Sequence, residues 1–424
     1  MTYLYVPGGG HKNTRCLLEG LSARGHECRA LTLTTGGGDP KTRDELVAEL
    51  TAKGTEVMPG RSGLGFAHRG VEVHTSEDYF HLCAELIDEV REFDPDWVLV
   101  TEDSKCYLLE AALQAAPART VFVSHSTSTL PFGPDCRAPD PGKARLFGRV
   151  AGAVGTSRYM QDYIARWGGR ESLAFYYPVY GEPPFAACGR FDEGHVLMIN
   201  PSDVKGVRIF IELAGRLPEF TFAAVPTWGT TPSDLLDLMR LPNMTLLMPS
   251  ENLDEIFARA RALVVPSLWA ESFGHVVVEA MLRGVPVLAS DSGGLPEAKL
   301  GLDYVLPVRT IERYEDGAAV VPEQDAGPWE RALSELLSSR ELYERLSRSS
   351  REAAHAFVAS LGMGPVEDYL EGLGEAARAG RREEAERAEK KRAASAQLSR
   401  LSPEKRVLLA MKLRRMRETE ASRE

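Results

Sequence analysis

The sequence contains few cysteines, and their positions suggest no chemical role. Six cysteines occur among 424 residues, and no two of them are spaced as C-x-x-C. Zinc sites and redox dithiols depend on such close spacing, whereas disulfide frameworks are typical of short, cysteine-rich secreted chains. The sequence therefore indicates neither a zinc site nor a disulfide framework, and we expect the protein to reside in the reducing cytoplasm.

Long apolar runs and an excess of positive charge are also missing. No continuous apolar stretch approaches the roughly eighteen residues that a membrane-spanning helix requires. The N-terminal sequence MTYLYVPGGG lacks the charged n-region and the cleavage site of a signal peptide. The formal net charge is -11, whereas a protein that binds nucleic acid needs a basic face. We therefore expect no membrane span and no nucleic-acid partner.

An alternation of strand and helix patterns is present, and it occurs twice along the chain. Apolar runs such as DWVLVTE and RTVFVSH alternate with amphipathic segments such as YFHLCAELIDEVREF in the first half. The proline-rich segment 178–185 reads as an extended linker, after which the alternation restarts with HVLMIN and VRIFIELAGRL. Each half therefore predicts a parallel, doubly wound sheet, and the length of the chain suits two such domains.

The segment from Pro266 to Glu297 carries the strongest functional pattern. A buried strand is followed by small, irregular residues (Ser272 to Gly274) and then by a helix, whose free N–H groups and dipole favour phosphate. Glu271 and Glu279 would lie about 12 Å apart if the intervening residues were all helical. That separation is too long for an acid/base pair acting on one bond. It suits hydrogen bonds to two sugars joined by a diphosphate.

This segment closely resembles the nucleotide-sugar site of family-four glycosyltransferases, which are retaining enzymes of the GT-B fold with an E-x7-E signature. In that family the first Glu lies against the transferred sugar and the second binds the ribose hydroxyls. The resemblance assigns these roles to Glu271 and Glu279 of this chain. It also implies that the intervening loop holds sugar and phosphate oxygens, through Ser272, Phe273, Gly274 and His275.

Two further positions follow from the same resemblance. Family members carry an Arg and a Lys on the donor diphosphate in the loop that reads INPSDVKG here. Lys205 occupies the lysine position, but Asn200 occupies the arginine position, so we expect one full charge from this loop, supplemented by Asn200 or by backbone donors. His125 ends the strand VFVSH, and the resemblance places it at the reaction centre against the transferred sugar. A histidine at a strand end can also be an ordinary polar residue of the core.

Glycines and acidic residues elsewhere give weaker indications. Gly9 and Gly10 follow the first predicted strand and would let the backbone approach the donor phosphate or the acceptor, although such a turn suits any strand-to-helix connection. The sequence Asp94-Pro95-Asp96 is similar to a D-x-D metal motif, but it precedes its strand and so lies at the wrong end of a parallel sheet. We interpret it as a turn. No metal site and no cofactor besides the nucleotide-diphosphate sugar are expected.

The resemblance extends over about residues 1 to 375 and implies an α/β protein of the GT-B class. In that fold two Rossmann-like domains face each other across a cleft, here followed by a helical C-terminal extension. We predict an N-terminal acceptor domain at residues 1–180 and a nucleotide-sugar donor domain at residues 190–355. A crossover helix region at residues 356–380 and a charged, helical or partly disordered tail at residues 381–424 would follow.

The expected function is metal-independent, retaining transfer of a sugar from a nucleotide-diphosphate sugar to an acceptor hydroxyl. The donor base and the hexose stay open. The acceptor also stays open, because the sequences of loops such as 65–75 and 128–137 do not indicate which acceptor they bind. A second interpretation belongs to a different class. Residues 399–417 include an amphipathic basic pattern similar to short segments of nonribosomal-peptide and polyketide assembly lines. They could make the chain a catalytically silent accessory protein that docks on a partner, or they could mediate self-association.

Overall fold

The computed structural model describes residues 9–374 except 35–41, 102, 104, 251, 312–313 and 316–317, and it also describes residues 386, 387, 389 and 390. The first predicted strand and nearly all of the predicted tail, including residues 399–417, therefore lie outside the described residues. Over the described ranges, no helix combines the length and the apolar character needed to cross a membrane.

The first lobe contains two four-stranded sheets. Their strand orders are β1-β4-β3-β2 and β5-β6-β7-β8, and the second sheet is parallel throughout. The elements are, in chain order, α1 (Gly9–Ala23), β1 (Cys28–Leu33), α2 (Arg43–Ala52), β2 (Val57–Pro59), β3 (Leu64–His68), β4 (Val71–Ser76), α3 (Tyr79–Phe93), β5 (Val98–Thr101), α4 (Tyr107–Ala115), β6 (Thr120–Ser124), α5 (Pro141–Phe147), β7 (Gly152–Gly155), α6 (Arg158–Gly168) and β8 (Leu173–Ala174).

Part of this lobe differs from the prediction of a wholly parallel sheet. Residues 65–75, which we expected to be a loop, lie almost entirely in the antiparallel pair of β3 and β4. Arg69 and Gly70 connect the two strands, and both have positive φ angles, of 47° and 80°, as a type I′ hairpin turn requires. The loop prediction was wrong because Arg-Gly is a weaker hairpin signal than Asn-Gly or Asp-Gly.

The second lobe is built on one six-stranded parallel sheet of order β11-β10-β9-β12-β13-β14. Its strands are almost entirely apolar because helices cover both faces. The elements are β9 (His195–Ile199), α7 (Val207–Arg216), β10 (Phe222–Val225), α8 (Pro232–Met239), β11 (Met244–Leu246), α9 (Leu253–Phe257), β12 (Ala260–Val265), α10 (His275–Leu282), β13 (Val287–Ser290), α11 (Leu295–Ala298), β14 (Val305–Leu306), β15 (Tyr314–Glu315), β16 (Ala318–Ala319), α12 (Gly327–Ser338), α13 (Arg340–Ala359) and α14 (Gly364–Gly372).

The chain order of these strands defines where a ligand can bind. From β9 the chain winds outward through β10 to β11, and it then returns to place β12 on the other side of β9. The strand order thus reverses between β9 and β12. In open α/β sheets, ligands bind outside the carboxyl ends of the strands at such a reversal. The loops that follow β9 and β12 contain Lys205 and Glu271.

After the second sheet the chain returns to the first lobe. Helix α13 runs without interruption through the predicted domain boundary near residue 355. Helix α14 then packs on the first lobe, where the Tyr369 hydroxyl accepts a hydrogen bond from the Ala153 amide at 3.0 Å and Arg24 donates to Glu367 at 2.7 Å. The predicted crossover region therefore begins inside a helix, and its described part includes α14, which packs on the first lobe.

Candidate active site

The loops after β9 and β12 are hydrogen-bonded to each other at the strand-order reversal. The Val204 carbonyl accepts from the amides of Leu268 and Trp269, at 3.0 and 3.2 Å. Gly206 has a φ of +79°, and a Cβ at this position would lie 2.1 Å from the Pro266 carbonyl oxygen. Only glycine fits so close to the neighbouring loop. This contact fixes the position of Lys205, the residue before the glycine.

Lys205 and Glu271 form an ion pair at this edge of the sheet. Their side chains are only 16% and 15% exposed. Ser267 also donates to the Glu271 carboxylate at 2.8 Å, and the Lys205 ammonium lies 4.6 Å from the centre of the Trp269 ring. Burial acts to raise the pKa of Glu271, but the Lys205 charge and the hydrogen bonds outweigh burial, so the pKa is lowered. Glu271 is therefore an ionised, buried carboxylate.

Helix α10 begins at His275, directly after Gly274. Glu271 consequently lies in the loop before the helix, so the separation of about 12 Å expected for a continuous helix does not apply. The turn after β13 fixes this loop, because the Gly294 amide donates to the Glu271 carbonyl at 2.6 Å. Glu279 lies within the helix. The free amides of the first turn of α10 thus lie close in sequence to both carboxylates.

Glu279 and His275 make contacts with the first lobe and the interlobe segment. The Lys12 ammonium of α1 lies 3.4 Å from the Glu279 carboxylate. The Tyr180 hydroxyl is 2.9 Å from Nδ1 of His275. Burial lowers the pKa of His275 to about 4, with a smaller contribution from the Lys12 charge. His275 is therefore neutral at physiological pH.

His125 lies at the boundary between the two lobes. Its Nε2 is 3.0 Å from the Thr14 hydroxyl, and its backbone carbonyl accepts a hydrogen bond of 2.6 Å from Ser272. Burial lowers the pKa of His125 to about 3, so its ring is uncharged. Gly10 packs against that ring, since a Cβ on Gly10 would lie 3.3 Å from the Cβ of His125. Gly9 and Gly10 form the first turn of α1, whereas we had expected them in a turn before the helix.

The side chains of Asn200 and Phe273 contact other residues of the protein. The Asn200 side-chain oxygen accepts from the Gly229 amide at 3.0 Å, so this residue orders the loop after β10. The Phe273 ring is buried, 2% exposed, and packs on Tyr176 with ring centres 5.4 Å apart. Only the backbone of Phe273 is therefore suited to the predicted contact with donor oxygens.

The structure brings four of the predicted site residues to the boundary of the two lobes, namely His125, Ser272, His275 and Glu279. Sequence reasoning did not identify the contacts that join the lobes there. The Glu297 carboxylate accepts from the amides of Arg158 and Tyr159 at 3.0 and 3.1 Å, and Ser157 donates to the Ser272 carbonyl. Nothing local in the sequence indicates that Glu297 has a partner about 140 positions away.

In the described ranges, no group of three or more His, Cys, Asp or Glu residues is arranged to hold a metal ion. Asp94, the first residue of the D-x-D sequence, ends α3 in a left-handed conformation and forms an ion pair with Arg119 at 3.0 Å. This geometry is that of a turn.

Two family models match this chain. The model described as "Glycosyl transferase 4-like domain" matches residues 8–178, and the model described as "Glycosyl transferases group 1" matches residues 240–353. Together these matches cover more than half of the chain. The second match contains the whole segment from β12 to Glu297.

Curated relatives match over part of their length. A D-inositol 3-phosphate glycosyltransferase from Nocardia farcinica is 35% identical over 137 residues, which are 31% of this chain and 27% of the relative. The Alpha-1,3/1,6-mannosyltransferase alg-2 of Neurospora crassa is 31% identical over 162 residues, which are 37% of this chain and 30% of that protein. The matched part of this chain thus spans less than a third of either relative.

Solved structures match over most of the chain and establish the fold. Anabaena Alr3699/HepE in complex with UDP-glucose has a TM-score of 0.61 at 16% identity, covering 87% of this chain and 97% of its own. A glycosyltransferase from Rickettsia africae has a TM-score of 0.60 at 12% identity, covering 88% and 96%. The predicted fold class, two Rossmann-like lobes in the GT-B arrangement, is confirmed. Residues 8–178 and 240–353 of this chain thus match glycosyltransferase domain families, and the chain as described has the GT-B fold.

Proposed function

We propose that this protein is a retaining glycosyltransferase of family four, which moves a sugar from a nucleotide-diphosphate sugar to an acceptor hydroxyl. The observation that carries the proposal is the buried ion pair between Lys205 and Glu271. It lies where the strand order reverses and where the loop leads into the N-terminus of α10. A buried carboxylate and ammonium suit a ligand that offers both hydroxyls and phosphate.

When the donor binds, it would interact with both residues of this ion pair. Its diphosphate brings a second anion to Lys205, and the free amides of α10 add hydrogen bonds to the phosphate oxygens. Glu271 is then able to accept hydrogen bonds from the hydroxyls of the transferred sugar, and Glu279 from those of the ribose. Because the leaving diphosphate gains negative charge in the transition state, Lys205 and the helix N-terminus stabilise that state most.

Retention of the anomeric configuration follows if the acceptor hydroxyl attacks from the face that the diphosphate leaves. A phosphate oxygen then takes the proton of the acceptor, and no side-chain nucleophile is needed. His125 and His275 are both uncharged at neutral pH because burial lowers their pKa values. In this proposal His125 positions the transferred sugar as a neutral hydrogen-bonding group. Transfer is metal-independent, because Lys205 and the α10 amides supply the positive charge, and it should persist in EDTA.

The central test removes each partner of the ion pair. We expect Glu271→Gln and Lys205→Met each to lower sugar transfer, or donor hydrolysis, at least about a hundredfold, since each loses charge-assisted contacts worth a few kcal/mol. Lys53→Met is the matched control, because Lys53 is an exposed lysine, 61% exposed, that pairs with Glu49 on α2. Wild-type rates in Glu271→Gln and Lys205→Met would refute the proposal.

The donor can be identified by thermal shift. A ligand that binds only the folded state raises the melting temperature by mass action. UDP-, GDP-, ADP- and TDP-sugars should be compared on the full chain, and the effective donor should lose its shift in Lys205→Met and keep it in Lys53→Met. A chain that binds no sugar nucleotide would instead support the accessory role.

A further inference from the structure

Trp228 is a large apolar side chain held in an exposed position by an ordered loop. Its side chain is 70% exposed. The following amide, that of Gly229, donates to the Asn200 side chain at 3.0 Å. The Thr230 amide donates to the Thr227 carbonyl at 3.0 Å, and Thr231 then caps α8. Because hydrogen bonds on both sides of Trp228 fix the loop, the exposed position of the ring is a feature of the folded structure.

The ring of Trp228 extends an aromatic surface that begins at the candidate active site. Its centre lies 6.4 Å from that of Trp269, with an angle of 42° between the planes. Trp269 in turn carries the Lys205 ammonium 4.6 Å from its ring centre. The surface therefore continues outward from the ion pair of Lys205 and Glu271, where the sugar to be transferred is proposed to lie.

Trp269, the inner ring of this surface, and helix α10, which carries the proposed ribose contact, pack against opposite faces of the sheet. Trp269 packs against the hydrophobic cluster formed with α7 and α12, which includes Phe210 and Trp329. Helix α10, which carries Glu279, packs into the other cluster through Val277 and Met281. A ring seated on Trp228 would therefore be separated from the nucleoside by the diphosphate and the transferred sugar.

The first lobe also reaches this surface. The Arg137 guanidinium lies 5.6 Å from the centre of the Trp269 ring and interacts with the side chain of Tyr314. The surface thus combines an apolar platform with a guanidinium and a phenol at its edge. A saccharide ring presents an apolar C–H face with hydroxyls around its edge, so it matches both features.

We propose that Trp228, together with Trp269 and Arg137, forms an acceptor subsite that binds a saccharide ring. This inference rests on the proposed function. It also gives a physical role to Asn200 at the position where the resemblance predicted an arginine. The Asn200 amide orders the loop that presents Trp228, so the chain has a stacking contact for the acceptor where a second phosphate contact was expected.

The first experiment locates the saccharide on the full chain labelled with 5-fluorotryptophan. The sequence contains five tryptophans, and Trp228→Phe assigns the resonance of Trp228 in ¹⁹F NMR spectra. Maltose, cellobiose, lactose and methyl α-mannoside are the probes. We expect at least one of them to shift the resonances of Trp228 and Trp269 and to leave that of Trp167 unchanged. The inference is overturned if none shifts Trp228, or if UDP, GDP, ADP or TDP alone shifts it as strongly.

The second experiment compares affinities. Trp228→Ala should raise the dissociation constant of the effective saccharide about tenfold, as expected for the loss of one aromatic stacking partner, while the affinity for the nucleotide changes less than about twofold. Trp167→Ala is the matched control, since Trp167 is a surface tryptophan, 45% exposed, that stacks with Arg166. Equal saccharide affinity in Trp228→Ala and wild type would overturn the subsite. Absence of nucleotide binding in the wild type would instead refute the proposed function.

Discussion

Lys299 is a fully buried lysine for which the proposed reaction has no use. Its relative exposure is 0%, and its ammonium nitrogen donates to the Val287 carbonyl of β13. Burial lowers the pKa of Lys299 from its ordinary value of 10.5 to about 7, although the Asp303 charge partly opposes this effect. The side chain is thus close to half-charged at neutral pH inside a core that disfavours charge.

The stability of the protein should therefore depend on pH through Lys299. Above about pH 7 the folded state has lost the proton, whereas the unfolded chain keeps it up to about pH 10.5. Because the unfolded state binds more protons in this window, the free energy of unfolding rises with pH, by up to about 1.4 kcal/mol per unit from this group. Lys299→Met should remove that contribution and be more stable than wild type at about pH 6, by roughly 2 kcal/mol.

Urea unfolding at about pH 6, 7.5 and 9 measures this difference. Lys53→Met, which changes an exposed lysine, should keep the wild-type dependence on pH. If Lys299→Met and wild type show parallel curves, Lys299 does not titrate between the folded and unfolded states in the way described.

Individual site residues could be predicted to a limited degree. Lys205, Glu271 and Glu279 were predicted as site residues because their types and spacing follow a local motif, and the structure places Lys205 and Glu271 in contact. Their partners were harder to predict. Lys12 contacts Glu279 across 267 positions of sequence, and such a pairing depends on how the two lobes pack. The exposed Trp228 gave no signal of its own, since single exposed apolar residues are common.

At the scale of secondary-structure elements, the turn after β13 packs against the loop that contains Glu271 and supports it. Gly293 has a φ of +61°, and a Cβ there would lie 2.4 and 2.5 Å from the backbone oxygen and nitrogen of Glu271. Gly293→Ala therefore has to displace the Glu271 loop and also adopt a strained backbone. We expect a loss of about 2–4 kcal/mol of stability and at least about a tenfold weaker affinity for the donor.

The matched control is Gly215→Ala in α7, where a Cβ would meet no atom within 4 Å. Alanine favours the helix by about 0.5–1 kcal/mol, so this variant should be as stable as wild type or more stable. Denaturant unfolding and donor titration compare the two variants. Equal behaviour of Gly293→Ala and Gly215→Ala would show that the turn does not support the loop.

Elements with strong local patterns were predicted well, and those that depend on distant pairing were not. Helix α3 has the bounds read from the sequence, since its apolar periodicity is clear and Asp78 caps its first turn. The hairpin of β3 and β4 was missed because its turn, Arg69-Gly70, is uncommon. The start of α10 at His275 agrees with the prediction of irregular residues from Ser272 to Gly274 before the helix.

At the scale of the whole molecule, a few contacts hold the lobes together beside the active site. The Glu297 carboxylate of α11 accepts two backbone hydrogen bonds at the N-terminus of α6 and a third from the Tyr176 hydroxyl. The negative charge also lies at the positive end of the α6 dipole. Close by, Ser272 joins the Glu271 loop to the His125 carbonyl. These contacts hold the lobes in the arrangement in which Lys12 reaches Glu279.

Removing the Glu297 carboxylate should therefore favour an open arrangement of the lobes. Glu297→Ala leaves the amides of Arg158 and Tyr159 without their acceptor, at a cost of about 1–2 kcal/mol to the closed form. Because the proposed donor contacts His125 of the first lobe as well as the second lobe, its dissociation constant should rise about tenfold, and the radius of gyration measured by X-ray scattering should increase. Glu330→Ala is the control, since Glu330 pairs with Arg216 within the second lobe. If Glu297→Ala scatters like wild type and binds the donor equally well, Glu297 does not hold the lobes closed.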